Sequence, residues 1–206
     1  MSAQPNSISK NAFQTGLCLL TWFAIILQLS ILKESVFNYI SYFTILSNLL
    51  IAISLTAIIL APHTKIGKYF SLTTVQSGIA LNILIVGLVY NTVLRGIWEP
   101  EGWQLLADNL LHVVVPVLYI LYWIVFIPKG TLTWRDGTTW AYFPLAYLAY
   151  SLIRGHFVNW YPYPFLDVAK FGYGQVAINS GFVVLAFLFF GALMIWADRL
   201  TKKSSL

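Results

Sequence analysis

Asp108 and His112 stand four residues apart in the run Asp108-Asn109-Leu110-Leu111-His112, inside an otherwise apolar stretch. On a helix that spacing puts both side chains on one face. A carboxylate one turn from an imidazole holds its tautomer and raises its basicity, which is equipment for general-base work. The plainer role for a histidine in an apolar helix is a structural hydrogen bond. Pro116, four residues on, is expected to bend the helix and open space beside the ring. A second polar stripe, Ser41, Thr44 and Asn48, recurs at helical spacing in another apolar stretch. Small hydroxyl residues let helices approach and bond across, so packing alone accounts for Thr44 taken by itself. Asn91 and Arg95 close a third stretch on a shared face, and Ser151 and Arg154 close a further one. Asn179 opens the last. Each arginine is either a snorkelling anchor or a clamp for an anion.

The elements that must position these residues are membrane helices. Apolar residues make up 59% of the chain and charged residues 9%. A soluble domain carries about 25% charged residues. A spanning helix needs about 20 mostly apolar residues, and six stretches qualify: 11–32, 41–61, 74–94, 106–127, 139–156 and 176–198. Runs such as residues 51–60 and 182–190 do not alternate apolar and polar side chains, which excludes a transmembrane barrel. The expected fold is therefore all-α, a polytopic bundle of six transmembrane helices forming one domain over residues 1–206. The first stretch is too long for a signal segment and is read as a retained helix. Six spans alternate in direction. The polar ends named above therefore share one face of the membrane, where unpaired polar groups are costly unless they work.

The net charge of +5 divides unevenly among the expected loops. One side holds Lys10, Lys65, Lys68, Lys129, Arg135, Arg199, Lys202 and Lys203; the other holds Lys33, Arg95, Arg154 and Lys170. By the positive-inside rule the first side is cytoplasmic and both termini lie inside. The polar cluster then faces outward, in a plasma-type membrane of the bacterial inner kind. The basic tail reads as an orientation signal and an anionic-lipid contact, not a nucleic-acid site.

Between the last two stretches, residues 157–167 are dense in aromatics and prolines and read as a semi-rigid cap over the polar cluster. The loop 97–105, with Trp98 and Trp103, reads as an interfacial turn. Cys18 is the only cysteine and sits in an apolar run, so it reads as a packing residue. The chain has no dinucleotide glycine pattern, no Gly-x-Ser-x-Gly elbow and no His-Glu-x-x-His motif, and no metal or cofactor is expected. The inner halves of the second, fourth, fifth and sixth stretches are nearly bare of polar residues, with Ser54 and Thr56 alone in the second and Asn82 of the third the main exception. That pattern favours a one-sided pocket over a transport path.

The segments Tyr42-Phe43-Thr44-Ile45-Leu46-Ser47-Asn48 and Asp108 through Pro116 resemble the androgen-induced, FAR-17a-type family of multi-pass membrane proteins, in a bacterial six-helix branch. The Arg154-Gly155 pair and the run Trp160 to Asp167 look like hallmarks of that branch. The resemblance spans roughly residues 15–198. It implies a hydrolase of fatty-acid-type lipid esters, with Thr44 as nucleophile and His112 as its partner. Family members often carry a second histidine where this chain has Asn109. The residues are compatible with that chemistry. A threonine hydroxyl is a poor nucleophile until a base takes its proton, and His112 is the imidazole at matching depth. Asp108 would orient it. Asn48, Asn91 and Arg154 are candidates to stabilise an oxyanion, and with Asn179 they form the expected substrate-binding set. The expected partners are membrane lipids and a lipid ester. The alternative is a lipid or small-molecule binding or transport protein without catalysis.

Overall fold

In the computed structural model, residues 7–97 and 99–201 are described. Trp98 of the interfacial turn and Lys202 and Lys203 of the basic tail lie outside them. All regular structure among the described residues is helical. Helices α1 (Ser7–Ser30), α2 (Val36–Tyr39), α3 (Phe43–Leu60) and α4 (Lys65–Phe70) come first. Helix α5 (Thr73–Val89) runs on into a π-helical turn, Tyr90–Leu94. Helix α6 (Gly102–Asn109) passes through a second π turn, Leu110–Val114, into α7 (Val115–Phe126). Then follow α8 (Trp134–Trp140), α9 (Tyr142–Val158), a single 3-10 turn Pro164–Leu166, and α10 (Val168–Leu200).

Five of these elements are long and apolar enough to cross a membrane: α1, α3, α5 with its π turn, α6 joined to α7, and α10. The stretch expected at 139–156 becomes α9. Its 17 residues fall short of the roughly 20 a span needs. The protein is an all-α polytopic bundle, and five spans meet the requirements of length and composition.

Helices α1, α3, α5 and α7 form the packed heart. Leu17, Ile51, Leu55, Ile79, Ile83, Val115 and Tyr119 are buried together there, and Phe187 of α10 closes the cluster. The end of the bundle away from Thr44 is joined by side-chain hydrogen bonds. Gln14 Nε2 donates to the Tyr122 hydroxyl at 2.6 Å, which donates to Gln76 Oε1 at 3.0 Å. Trp123 Nε1 donates to Ser77 Oγ at 2.8 Å. Tyr122 and Trp123, which lie in the inner half of the fourth stretch, bring polar groups to an end expected to be nearly bare there. The bonded groups are satisfied by one another, as polar groups in lipid must be.

The second of the two π turns has an identifiable cause. Pro116 has no N–H to return to the carbonyl of His112, so the ladder loses a bond and shifts register just ahead of it. Gly87 lets α5 come close at this level, since a Cβ there would sit 3.3 Å from the Pro116 ring. Both irregular turns therefore face each other at one end of the bundle. The chain enters α10 through an N-cap at Asp167, whose side chain accepts from Lys170 N at 3.1 Å, and bends at Gly172 (φ 72, ψ 161).

Candidate functional site

Two facing rings define the site. Tyr90 opens the π turn that ends α5, and His112 lies in the π turn between α6 and α7. The rings stack with centroids 4.1 Å apart and planes 17° from parallel. Single π turns inside helices are frequent at functional sites, because they re-aim a side chain without unravelling the helix. Asp108 sits just below. It is 3% exposed, and Tyr90 donates its hydroxyl proton to Asp108 Oδ2. His112 Nδ1 lies 2.9 Å from the Asp108 carbonyl oxygen and 3.3 Å from Asp108 Oδ1. Two acceptors at Nδ1 hold the proton on that nitrogen and leave Nε2 as the basic one. The four-residue spacing in the sequence does bring carboxylate and imidazole together, with Tyr90 as a further partner of the carboxylate.

His112 and Asp108 line a chamber of about 750 Å³, and so does Thr44. Thr44 lies in the first turn of α3, whose N-cap Tyr42 provides no side-chain bond to the helix. Tyr163 takes over that duty from the aromatic loop. Its hydroxyl accepts from Thr44 N–H at 3.2 Å and lies 3.3 Å from Thr44 Oγ1. An unmet N–H at a helix start attracts an oxygen lone pair, and a distant tyrosine meets that need here. Burial pushes the Tyr163 phenol up, so it stays a protonated donor near neutral pH; its contacts with Thr44 work the other way. The loop is held over the chamber by ring contacts. Tyr42 meets Trp160 and Tyr163 edge-on, at 5.6 and 5.8 Å. Pro162, Tyr163 and Pro164 form part of the chamber wall.

Among the described residues no hydrogen bond joins Thr44 to His112. The hydroxyl is turned to Tyr163 and the imidazole to Asp108. The other expected site residues stand outside the chamber wall. Asn48 is fully buried between α3 and the π turn, donating to the Thr44 carbonyl at 2.8 Å and the Leu111 carbonyl at 3.2 Å. It ties the helix carrying Thr44 to the turn carrying His112, which is a positioning role. Asn91 is exposed, donates to the Gly87 carbonyl and accepts from Arg95 Nη1 at 2.9 Å. Arg154 donates to Asn38 Oδ1 at 2.7 Å and stacks 4.7 Å over Trp160. Asn179 donates to the Phe165 carbonyl at 3.0 Å and so anchors the aromatic loop. Shared depth in the sequence therefore does not become a shared cavity. Arg154 and Asn179 hold the cap, and Asn91 pairs with its own helix.

A second cavity adjoins the chamber. It measures about 270 Å³ and lies between α3, α5, α9 and α10. Its wall is apolar, with Ile85, Val86, Val89, Val183, Phe187 and Leu188. Thr44, Tyr90, Leu94 and Tyr163 belong to the walls of both spaces. Thr44 thus stands where a chamber with charged side chains in its wall meets an apolar one.

Tyr90 and Tyr163 are the residues that sequence reasoning missed. Tyr90 directly precedes Asn91, which drew attention for its polar amide, and the π turn that aims its ring at His112 has no sequence mark. Tyr163 lay inside the proline-rich loop already read as a cap. No three of the His, Cys, Asp and Glu side chains among the described residues gather to hold a metal ion. Set against protein-family models, curated proteins and solved structures, the chain matches none.

Proposed function

We propose that the protein is an integral membrane hydrolase of lipid esters, with Thr44 as nucleophile, His112 as base and then acid, and Asp108 as the group that orients His112. One observation carries this reading. A histidine whose tautomer is fixed by a buried carboxylate faces the same chamber as a helix-start threonine. In this reading α9 supplies a sixth crossing, both termini are cytoplasmic, and the chamber opens in the outer leaflet of a plasma-type membrane.

The chemistry balances with water as the co-reactant. Thr44 Oγ1 attacks the ester carbonyl while its proton passes to His112 Nε2. The bond from acyl carbon to alcohol oxygen breaks, and the alcohol leaves with that proton. Water then attacks the acyl-threonine, again giving a proton to Nε2. The carboxylic acid leaves and the threonine hydroxyl is restored. The Tyr163 hydroxyl and the first N–H groups of α3 supply donors for the oxyanion. Thr44 must turn from Tyr163 toward His112, or one water must join them; catalytic hydrogen bonds are commonly long in an empty site.

A fluorophosphonate probe on the purified protein tests the nucleophile. Phosphonylation should map to Thr44 by peptide mass spectrometry, vanish in Thr44→Ala and fall sharply in His112→Ala. Labelling that survives Thr44→Ala would remove the threonine from the mechanism. The second reading, ligand binding without catalysis, is favoured by the missing Thr44–His112 bond and gains if the protein resists the probe altogether.

A further inference from the structure

The two cavities share Thr44, Tyr90, Leu94 and Tyr163 in their walls but differ in chemistry, and the difference selects a ligand. We infer that they take a single-chain amphiphile whose head is an ammonium group, with no phosphate and no carboxylate. The inference rests on the proposed hydrolase only in placing an ester at the junction; the choice of head group stands apart from it.

The chamber wall carries Glu34, Glu101 and Asp108 against Lys33 and the His112 imidazole, which is paired with Asp108. The chain as a whole is net +5, so this acidic balance is local. The same wall presents aromatic rings: Tyr39, Tyr42, Tyr90, Trp103 and Tyr163. Carboxylates together with ring faces are the pair of features that recognise a quaternary or primary ammonium. A carboxylate or sulfate head would meet like charge. A phosphodiester between chain and ammonium would bring its own negative charge into the acidic compartment.

The slot sets the other end of the molecule. Its volume, about 270 Å³ against about 750 Å³ for the chamber, makes it the smaller, chain-bearing end of the path. A chain lying in it, with its head in the chamber, crosses the junction at Thr44 and Tyr163. An ester between a medium acyl chain and an amino alcohol therefore fits the whole path.

The test uses the full chain in an uncharged maltoside detergent. Titration calorimetry with decyltrimethylammonium should show binding about tenfold tighter than with decyl sulfate or lysophosphatidylcholine, the range that one partly desolvated cation–π site gives. The double variant Glu34→Gln, Glu101→Gln should lose most of that preference while unfolding at the same temperature as the parent. Equal affinity for decyl sulfate or for lysophosphatidylcholine overturns the inference, and so does a double variant that binds the ammonium unchanged. A second arm compares decanoylcholine with its uncharged neohexyl analogue as substrates. Selective ammonium binding with neither ester cleaved keeps the head-group site and removes the hydrolase. Equal cleavage of both esters without selective binding does the reverse.

Discussion

The half of the molecule built from α1, α3, α5 and α7 and the half built from α9 and α10 use similar apolar residues to different ends. In the first, Ile51, Leu55, Ile83, Val115 and Tyr119 are wholly enclosed. In the second, Ile153, Phe157, Phe182, Leu185 and Phe189 face outward. The first half holds Thr44, Asp108 and His112 from packed helices. The second half contributes the outer wall of the slot and the ends of the aromatic cap. Residues that must keep a fixed distance sit where packing locks rotamers, and the outer wall of the slot sits where side chains are less enclosed. This division of an enclosed core from an outward-facing flank can be broken experimentally.

The largest effect expected is on stability. Leu55→Ala should cost about 2 kcal/mol or more, because it empties an enclosed site. Leu185→Ala on α10 should change stability by about 0.5 kcal/mol or less, as surface changes do. Unfolding of both variants in one detergent checks the contrast. Equal losses would mean that the outer half is as tightly built as the inner one.

Gly155→Ala comes next. A Cβ at position 155 would overlap the Tyr161 ring, so the ring and the loop behind it must move. Overpacking of this kind costs about 1–3 kcal/mol. The loop should become open to chymotrypsin after Trp160 and Phe165, since Pro162 and Pro164 block cleavage after the two tyrosines, while the bundle stays folded. An uncut loop would show that the cap does not depend on this contact.

Tyr163→Phe should be milder. It removes the partner of Thr44 N–H, a loss of about 1 kcal/mol, and leaves the Asp108–His112 pair untouched. The melting temperature and probe labelling of this variant, set beside Gly155→Ala, separate the hydroxyl from the loop. A melting point as low as that of Gly155→Ala would assign the loop's role to that hydroxyl alone.

The smallest effect concerns pH, and it belongs to the far end of the bundle. Lys129 donates to the carbonyls of Trp123 and Ile127 at the end of α7. Burial lowers its pKa from 10.5 to about 8, against the pull of Asp198. A lysine with a depressed folded pKa binds fewer protons folded than unfolded between those values, so stability should rise as pH goes from about 8 toward 10. Burial raises Tyr39 from 10.0 to about 12. Its contribution is complete below 10.0 and is lost as pH climbs toward about 12, which turns the rise over. Melting curves in Lys129→Met should lack the rise. A parent protein whose stability falls steadily from pH 8 would contradict the assignment.

Composition and hydropathy made the all-helical polytopic fold legible, because lipid admits few ways to satisfy a backbone. The Asp108–His112 contact was legible too, since a four-residue spacing on a helix has one geometric meaning. The gathering of Asn91, Arg154 and Asn179 was not. Their depth could be read, but the face each helix turns inward depends on packing, and these residues hold their own helix or the cap. Tyr90 was hidden for a related reason. A π turn opens at Tyr90, whose ring stacks on His112, and nothing in the sequence marks where that turn falls.

Turnover by Thr44→Ala and His112→Ala tests the central claim most directly. Decanoylcholine and a plain decanoate ester would be offered to the parent and to each variant in maltoside micelles, with unfolding temperatures measured alongside. The account predicts ester cleavage by the parent. It predicts loss of at least about a hundredfold in each variant, the lower range for a general base or nucleophile, with unfolding within a few degrees of the parent. Cleavage that persists in Thr44→Ala at the parent rate would contradict it.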